Sequence, residues 1–261
     1  ATTGHTYIMG ILNVTPDSFS DGGKFNQIDA ALKHAEEMIR DGADVIDIGG
    51  ESTRPWGYTK ISDEEETGRV VPVIEAVKKE FGIPISVDTY KSGVAEAAQA
   101  GADLINDIWG LKYDPHMSEV IAKSGLAGCL MHNRDNTEYR NFMEDMKQDL
   151  RETIALAKAA GIADDKIILD PGVGFAKSYE NNLEVIRRLK EFNELKYPVL
   201  LGTSRKSVIG LTLDLPAAER VEGTIVTTVM AVEAGCMFVR VHDVKENHRA
   251  IQMAEAILDR K

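Results

Sequence analysis

Tyr7-Ile-Met-Gly-Ile-Leu-Asn-Val-Thr-Pro-Asp-Ser-Phe-Ser-Asp-Gly-Gly23 reads as a buried strand running into a functional loop. Its opening residues, Tyr7 to Leu12, form an apolar run of strand length. That run delivers an amide side chain, Asn13, to its own end. The chain then enters a polar, Gly-rich segment that cannot pack as core. Loops at the C-terminal ends of strands are where α/β enzymes build their sites.

Working outward, this is the first of eight β-rich runs: Tyr7–Val14, Asp44–Gly49, Ile85–Thr89, Leu104–Ile108, Gly128–His132, Ile167–Asp170, Val199–Thr203 and Phe238–Val244. Between them lie amphipathic stretches at Ile28–Arg40, Asp63–Glu80, Lys91–Ala100, Pro115–Lys123, Phe142–Ala160, Glu180–Glu194, Ala217–Ala234 and Lys245–Leu258. Gly-Ala-Asp stands before the second and fourth runs, at Gly42–Asp44 and Gly101–Asp103, with Gly125, Gly161 and Gly235 in similar places. A glycine there suits a helix end that turns into the next strand. Strict alternation implies parallel strands joined by crossover helices. Eight units without a linker predict one α/β domain over residues 1–261, a (β/α)₈ TIM barrel with its site at the C-terminal ends of the strands.

Composition narrows the function classes. With 30 basic against 42 acidic residues the net charge is −12, which disfavours non-specific binding to nucleic acid or an anionic membrane. The longest apolar runs are too short to span a bilayer. With no charged-then-apolar leader at its start, the chain reads as cytoplasmic. Cys129 and Cys236 lack metal-type spacing and read as buried free thiols in a reducing compartment.

Nearly every predicted strand ends in a functional group: Asn13, Asp47, Asp88, Asn106, His132, Asp170, Thr203, and Arg240 with His242. A lone strand-end Asp is more often a cap or turn former. In a barrel, though, these tips converge on one face. Asp47 is expected to bond loop amides below the rim, and Asp107 to be a cap or surface group. Arg240 and His242, two apart, project together and add cationic character to an acidic chain. After the seventh run, Gly202-Thr-Ser-Arg-Lys-Ser207 lacks P-loop spacing, yet it sets Lys206 and Ser207 at a helix start, where anions are favoured. Arg205 reads equally well as an anion ligand or a structural ion-pair partner. These groups suit a flat polar ligand read by carboxylates and an amide, beside a phosphate-like group. A hard cation such as Mg²⁺ would suit an amide oxygen and phosphate oxygens.

Taken together, these segments resemble dihydropteroate synthase, the folate-pathway enzyme family that sulfonamides target. The resemblance covers essentially the whole chain. It rests on the first loop and on Asp47-Ile-Gly-Gly-Glu-Ser-Thr-Arg-Pro55, Ser86-Val-Asp-Thr89, Ile105-Asn-Asp-Ile-Trp109, Met131-His-Asn-Arg134, Leu169-Asp-Pro-Gly-Val-Gly-Phe175, Leu201-Gly-Thr-Ser-Arg-Lys-Ser207 and Arg240-Val-His-Asp243. It implies transfer of a pterin from its pyrophosphate ester to p-aminobenzoate by an SN1-like route. The pterin would meet Asp88, Asn106, Ile108, Met131, Asp170, Phe175 and Lys206. The pyrophosphate would meet Asn13, Arg54, Arg240 and His242, with Asn13 reaching it through Mg²⁺. The p-aminobenzoate would meet Phe19, Thr53, Arg54, Pro55, Lys206 and Ser207. Asp88, Lys206, Arg240, His242 and Asp21 would be the catalytic groups. The family also implies a homodimer through the later helices.

The chain departs from the family pattern in two places. Trp56 stands between Pro55 and Gly57, where the family usually has Pro-Gly, and the segment between Asp88 and Asn106 is one residue short. Two rival readings share the pterin-reading groups. One is a corrinoid-type pterin-dependent methyltransferase, which would not need Arg54, Lys206, Ser207, Arg240 and His242 around a pyrophosphate. The other is a pterin-binding barrel without activity.

Overall fold

The computed structural model describes residues 4–14, 23–52 and 59–260, with side chains from Gln27 onward in the first helix. Eight parallel strands form one sheet: β1 (Tyr7–Asn13), β2 (Val45–Gly49), β3 (Ile85–Asp88), β4 (Leu104–Asp107), β5 (Ala127–Met131), β6 (Ile167–Asp170), β7 (Leu200–Leu201) and β8 (Phe238–Val241). The order runs β6-β5-β4-β3-β2-β1-β8-β7, and a parallel bridge from Leu169 to Val199 joins its two ends. The sheet therefore closes as the expected barrel.

The helices are α1 (Gly23–Asp41), α2 (Asp63–Phe81), α3 (Ser92–Ala98), α4 (Met117–Ser124), α5 (Phe142–Ala159), α6 (Tyr179–Arg187), α7 (Ser207–Leu213), α8 (Val221–Ala234) and α9 (Val244–Ile257). Their apolar faces pack on the outward side chains of the strands in one continuous core. Two stretches expected as single helices are divided. The one beginning at Glu180 breaks at Arg188, whose side chain turns to Glu184 and Glu191, and continues as the 3₁₀ segment Leu189–Leu195. The one beginning at Ala217 opens with a 3₁₀ turn after Pro216 before α8 starts.

The repeated Gly-Ala-Asp has a function at the base of the barrel. Asp44 accepts from the Ile8 amide (2.8 Å) and Asp103 from the Ile85 amide (2.9 Å). Each carboxylate thus satisfies a strand-opening N–H that would otherwise lack a partner. Inside the barrel, Met9, Leu104, Cys129, Ile168, Leu200 and Phe238 fill the lower layer with apolar side chains. Above Leu104, Ile168 and Phe238 the next inward residues are polar: Asn106, Asp170 and Arg240.

Candidate active site

Residues two apart on a strand share a face, so the strands that put Leu104, Ile168 and Phe238 into the lower layer put Asn106, Asp170 and Arg240 above it. Strand register sets Asp88 opposite Asn106 across β3 and β4, and Met131 opposite Asp170 across β5 and β6. Arg240 reaches across the interior. Its Nε donates to Asp47 Oδ2 (2.6 Å) and its Nη2 to Asp88 Oδ2 (3.3 Å). Asn106 Nδ2 donates to the same Asp47 oxygen at 3.3 Å. Asp47 Oδ1, Asp88 Oδ1, Asn106 Oδ1 and Ser86 Oγ are buried without a hydrogen-bond partner among the described residues. An unmet buried polar atom costs about 1–3 kcal/mol, so the acceptors gathered around Arg240 mark a place for a donor-rich ligand.

The other half of the rim is built by the turns after β6 and β7. Asp170 Oδ1 accepts from the Gly172 amide at 2.8 Å, which leaves Oδ2 for other partners. Lys206 Nζ donates to the Val173 carbonyl (2.6 Å) and lies 5.1 Å from the centre of the Phe175 ring. A methyl group on Gly202 would stand 3.7 Å from Lys206 Nζ, 3.9 Å from Asp170 Oδ2 and 4.0 Å from Arg240 Cβ. The bare backbone there keeps open the space these three groups face. Ile108, Met131 and Tyr90 form an apolar cluster against which Trp109 and Phe175 pack. The rim thus offers a polar edge and an apolar wall together.

Charge at this level is mutually adjusted. Burial pushes the Asp88 carboxyl up to about 7, with the neighbouring Asp47 carboxylate adding to the rise and Arg240 opposing it. Burial also raises Asp170, opposed by Lys206 and the Gly172 amide. The Lys206 ammonium is brought down to about 8 by burial, with Asp170 resisting. Burial works against the Arg240 charge, but Asp47 and Asp88 hold it firmly protonated. His242 is lowered to about 3, first by burial and then by the Arg240 and Arg205 cations. The Ser204 hydroxyl accepts from the His242 amide (3.0 Å) and also hydrogen-bonds ring Nδ1 (2.7 Å), which fixes the ring's orientation at the rim.

Comparison with known proteins decides the lineage. Residues 9–242 match the family described as pterin binding enzyme. The chain is 63% identical to a dihydropteroate synthase of Clostridium beijerinckii, over 98% of this chain and 95% of that protein. It belongs to the dihydropteroate synthase family. A crystal structure of a Clostridium difficile dihydropteroate synthase in the presence of pteroic acid superposes with a TM-score of 0.96 at 53% identity, covering 99% of this chain and 98% of that one. A Xanthomonas albilineans dihydropteroate synthase in complex with 7,8-dihydropteroate gives 0.90 at 38% identity, covering 99% and 95%.

Against the residues expected of this family, the barrel brings Asp88, Asn106, Asp170, Lys206 and Arg240 to one level, with Ile108, Met131 and Phe175 beside them. Asn13 is exposed at the end of β1, and Ser207 is exposed at the first position of α7. Phe19, Asp21, Thr53, Arg54, Pro55 and Trp56 lie outside the described residues. Among the described residues Asp47 accepts from no loop amide; it is the buried anchor of Arg240, a cross-barrel pairing that no sequence spacing reveals. Asp107 is the expected cap, accepting from the Trp109 and Leu111 amides, and it is buried. One reading is corrected: burial first, and then Arg240, hold the His242 ring neutral, so it adds no second cation to the rim. Arg205 resolves as a structural partner of Asp243 at 2.9 Å.

Two polar clusters had no signal in the sequence. Lys91 bridges Glu51 (3.2 Å) and Glu66 (2.9 Å) in a buried triad and also bonds the Ile61 carbonyl. Lys177 sits behind the Asp170 turn. A lysine in a polar stretch reads as surface until its neighbours in space are known. For a metal, no group of three or more His, Cys, Asp or Glu is assembled among the described residues. The amide oxygen of Asn13 is a hard donor that suits Mg²⁺ as one ligand of several.

Proposed function

We propose that this chain is a dihydropteroate synthase that condenses 6-hydroxymethyl-7,8-dihydropterin pyrophosphate with p-aminobenzoate, releasing pyrophosphate and 7,8-dihydropteroate. The observation that carries the reading is the set of buried acceptors without partners among the described residues, Asp88 Oδ1 and Asn106 Oδ1, together with an Asp170 whose Oδ1 alone is taken by the Gly172 amide, in a chain of this family. A pterin edge is rich in N–H donors. Asn106 spends its N–H on Asp47 and so presents an oxygen; Asp170 spends Oδ1 on Gly172 and presents Oδ2. Ile108, Met131 and Phe175 give the flat ring an apolar face, and Lys206 reaches its carbonyl edge.

In the reaction the bond between the pterin methylene carbon and the pyrophosphate oxygen breaks, and its electron pair leaves with the pyrophosphate. Arg240, preorganised by Asp47, and the His242 ring beside it stabilise that departing charge. Magnesium carried on the pyrophosphate and held by Asn13 would neutralise it further. Asp88 stabilises the positive charge spread over the dihydropterin. The aniline nitrogen then donates its lone pair to the methylene carbon and loses a proton. Lys206 and Ser207 border the p-aminobenzoate side, with Phe19, Thr53, Arg54, Pro55 and Asp21 contributed by the first two loops.

The exposed apolar side chains Leu211 and Leu213 on α7, Val226 on α8, and Met253 and Ile257 on α9 support a homodimer through the later helices. Cys129 and Cys236 are free and buried, in keeping with a cytoplasmic enzyme. No described helix is long and apolar enough to cross a membrane. The test is to mix the protein with the pterin pyrophosphate, p-aminobenzoate and Mg²⁺. Pyrophosphate and dihydropteroate should appear in equal amounts, and only with both substrates. Pterin binding without pyrophosphate release would support the inactive-barrel reading instead.

A further inference from the structure

The turn between β6 and α6 carries both a carboxylate and an aromatic wall of the pterin site, yet its backbone is costly to hold. Gly172, Gly174 and Ala176 all have left-handed backbones, with φ of 72°, 90° and 53°. A Cβ on Gly172 would lie 2.1 Å from the His132 carbonyl oxygen, so the turn is pressed onto the tip of β5. Something must hold it there.

Lys177 ends this turn, and its ammonium has three acceptors: the Gly172 carbonyl (3.1 Å), the Phe175 carbonyl (2.9 Å) and His132 Nδ1 (2.9 Å). The first two lie within the turn and the third is on the next strand. Because Nδ1 accepts from Lys177, the His132 proton sits on Nε2, which donates to Asp149 Oδ2 at 2.8 Å. Arg134 Nε binds the same oxygen at 2.6 Å. The result is a chain from Arg134 through Asp149 and His132 to Lys177, behind the ligand-facing groups. Burial and the Lys177 cation bring His132 down to about 4, so the ring stays a neutral acceptor. His132 also donates its amide to the Asp170 carbonyl at 2.7 Å. The strand-end histidine thus faces away from the reaction, and its partner is the turn.

We propose that Lys177 is a positioning residue for the pterin: tied to β5 through His132, it holds the turn that presents Asp170 and Phe175. This rests on the pterin-binding reading above. Lys177 touches neither Arg240 nor His242, so its loss acts on the ring and spares the phosphate side.

The experiment is calorimetric titration of the full chain and of Lys177→Met with two probes, a phosphate-free pterin and inorganic pyrophosphate with Mg²⁺. The variant should bind the pterin at least tenfold more weakly and pyrophosphate within about twofold of the original. Unchanged pterin affinity, or equal loss for both probes, would overturn the proposal. Should Lys177→Met fail to fold, His132→Leu removes one of the three acceptors, and the same titrations should show the same selective loss of pterin affinity. Failure of the unmodified chain to bind the pterin would instead strike the functional reading itself.

Discussion

The lower and upper layers of the barrel interior are built from the same strands, two residues apart, and obey opposite rules. Leu104 and Asn106, Ile168 and Asp170, and Phe238 and Arg240 are consecutive inward positions. The lower members pack with one another. In the upper layer Asn106 Oδ1 has no partner among the described residues, and the buried carboxylates Asp47 and Asp88 share Arg240. Two residues of strand, about 6.6 Å at a rise of about 3.3 Å per residue, separate a layer that stabilises the fold from one that weakens it in return for a site. Stability and ligand recognition are divided by depth here, not by domain.

Breaking the lower layer should give the largest effect. Phe238→Ala is expected to destabilise the barrel by about 3–5 kcal/mol, read from denaturant melts, with pterin affinity of the folded protein within a few-fold of the original. In the upper layer Asp170→Asn should do the reverse. It turns an acceptor into a donor against a ligand donor, costing about 1–3 kcal/mol of pterin affinity, while melting changes little. Loss of stability with intact affinity would merge the two layers into one structural core.

Gly202→Ala sharpens the comparison further. Its added methyl enters the space between Lys206, Asp170 and Arg240, and it should weaken pterin binding by about 1 kcal/mol, within the usual range for overpacking. An unchanged dissociation constant would mean the ring lies elsewhere.

The smallest expected effects are in pH. Asp88 is held at about 7, above its ordinary 3.8. Folding therefore favours its protonated form, and that contribution is complete below about pH 4 and lost as pH rises through about 7. Asp88→Asn, which cannot ionise, should raise the melting temperature more at about pH 8 than at about pH 5 relative to the original. An equal change at both would remove the burial cost from Asp88. For His242, a titration followed by NMR in the absence of phosphates should show no midpoint between about pH 5 and 8, since its value lies near 3.

Much of this was legible in the chain because inward parity is fixed by the strand period. Once Asn106, Asp170 and Arg240 stood at strand ends, a barrel had to bring them together. Strand ends were set within a few residues, and the helices except where Arg188 and Pro216 interrupt them. Pairings across the barrel were not legible. Arg240 and Asp47 are far apart in sequence, and nothing local marks them as partners. Lys177 was missed for a related reason: its three acceptors are backbone carbonyls and a ring on another strand, which composition does not announce. The neutral state of His242 depends on burial and on Arg240, which only coordinates supply.

The most direct measurement is a crystal structure of this chain with the pterin pyrophosphate bound. The ring should lie against Met131 and Phe175, with its N–H edge on Asp170 Oδ2 and Asn106 Oδ1 and its phosphates at Arg240 and His242. A ring outside the upper layer, or phosphates directed at Asp170, would contradict the division of the barrel into a stabilising layer and a recognising one.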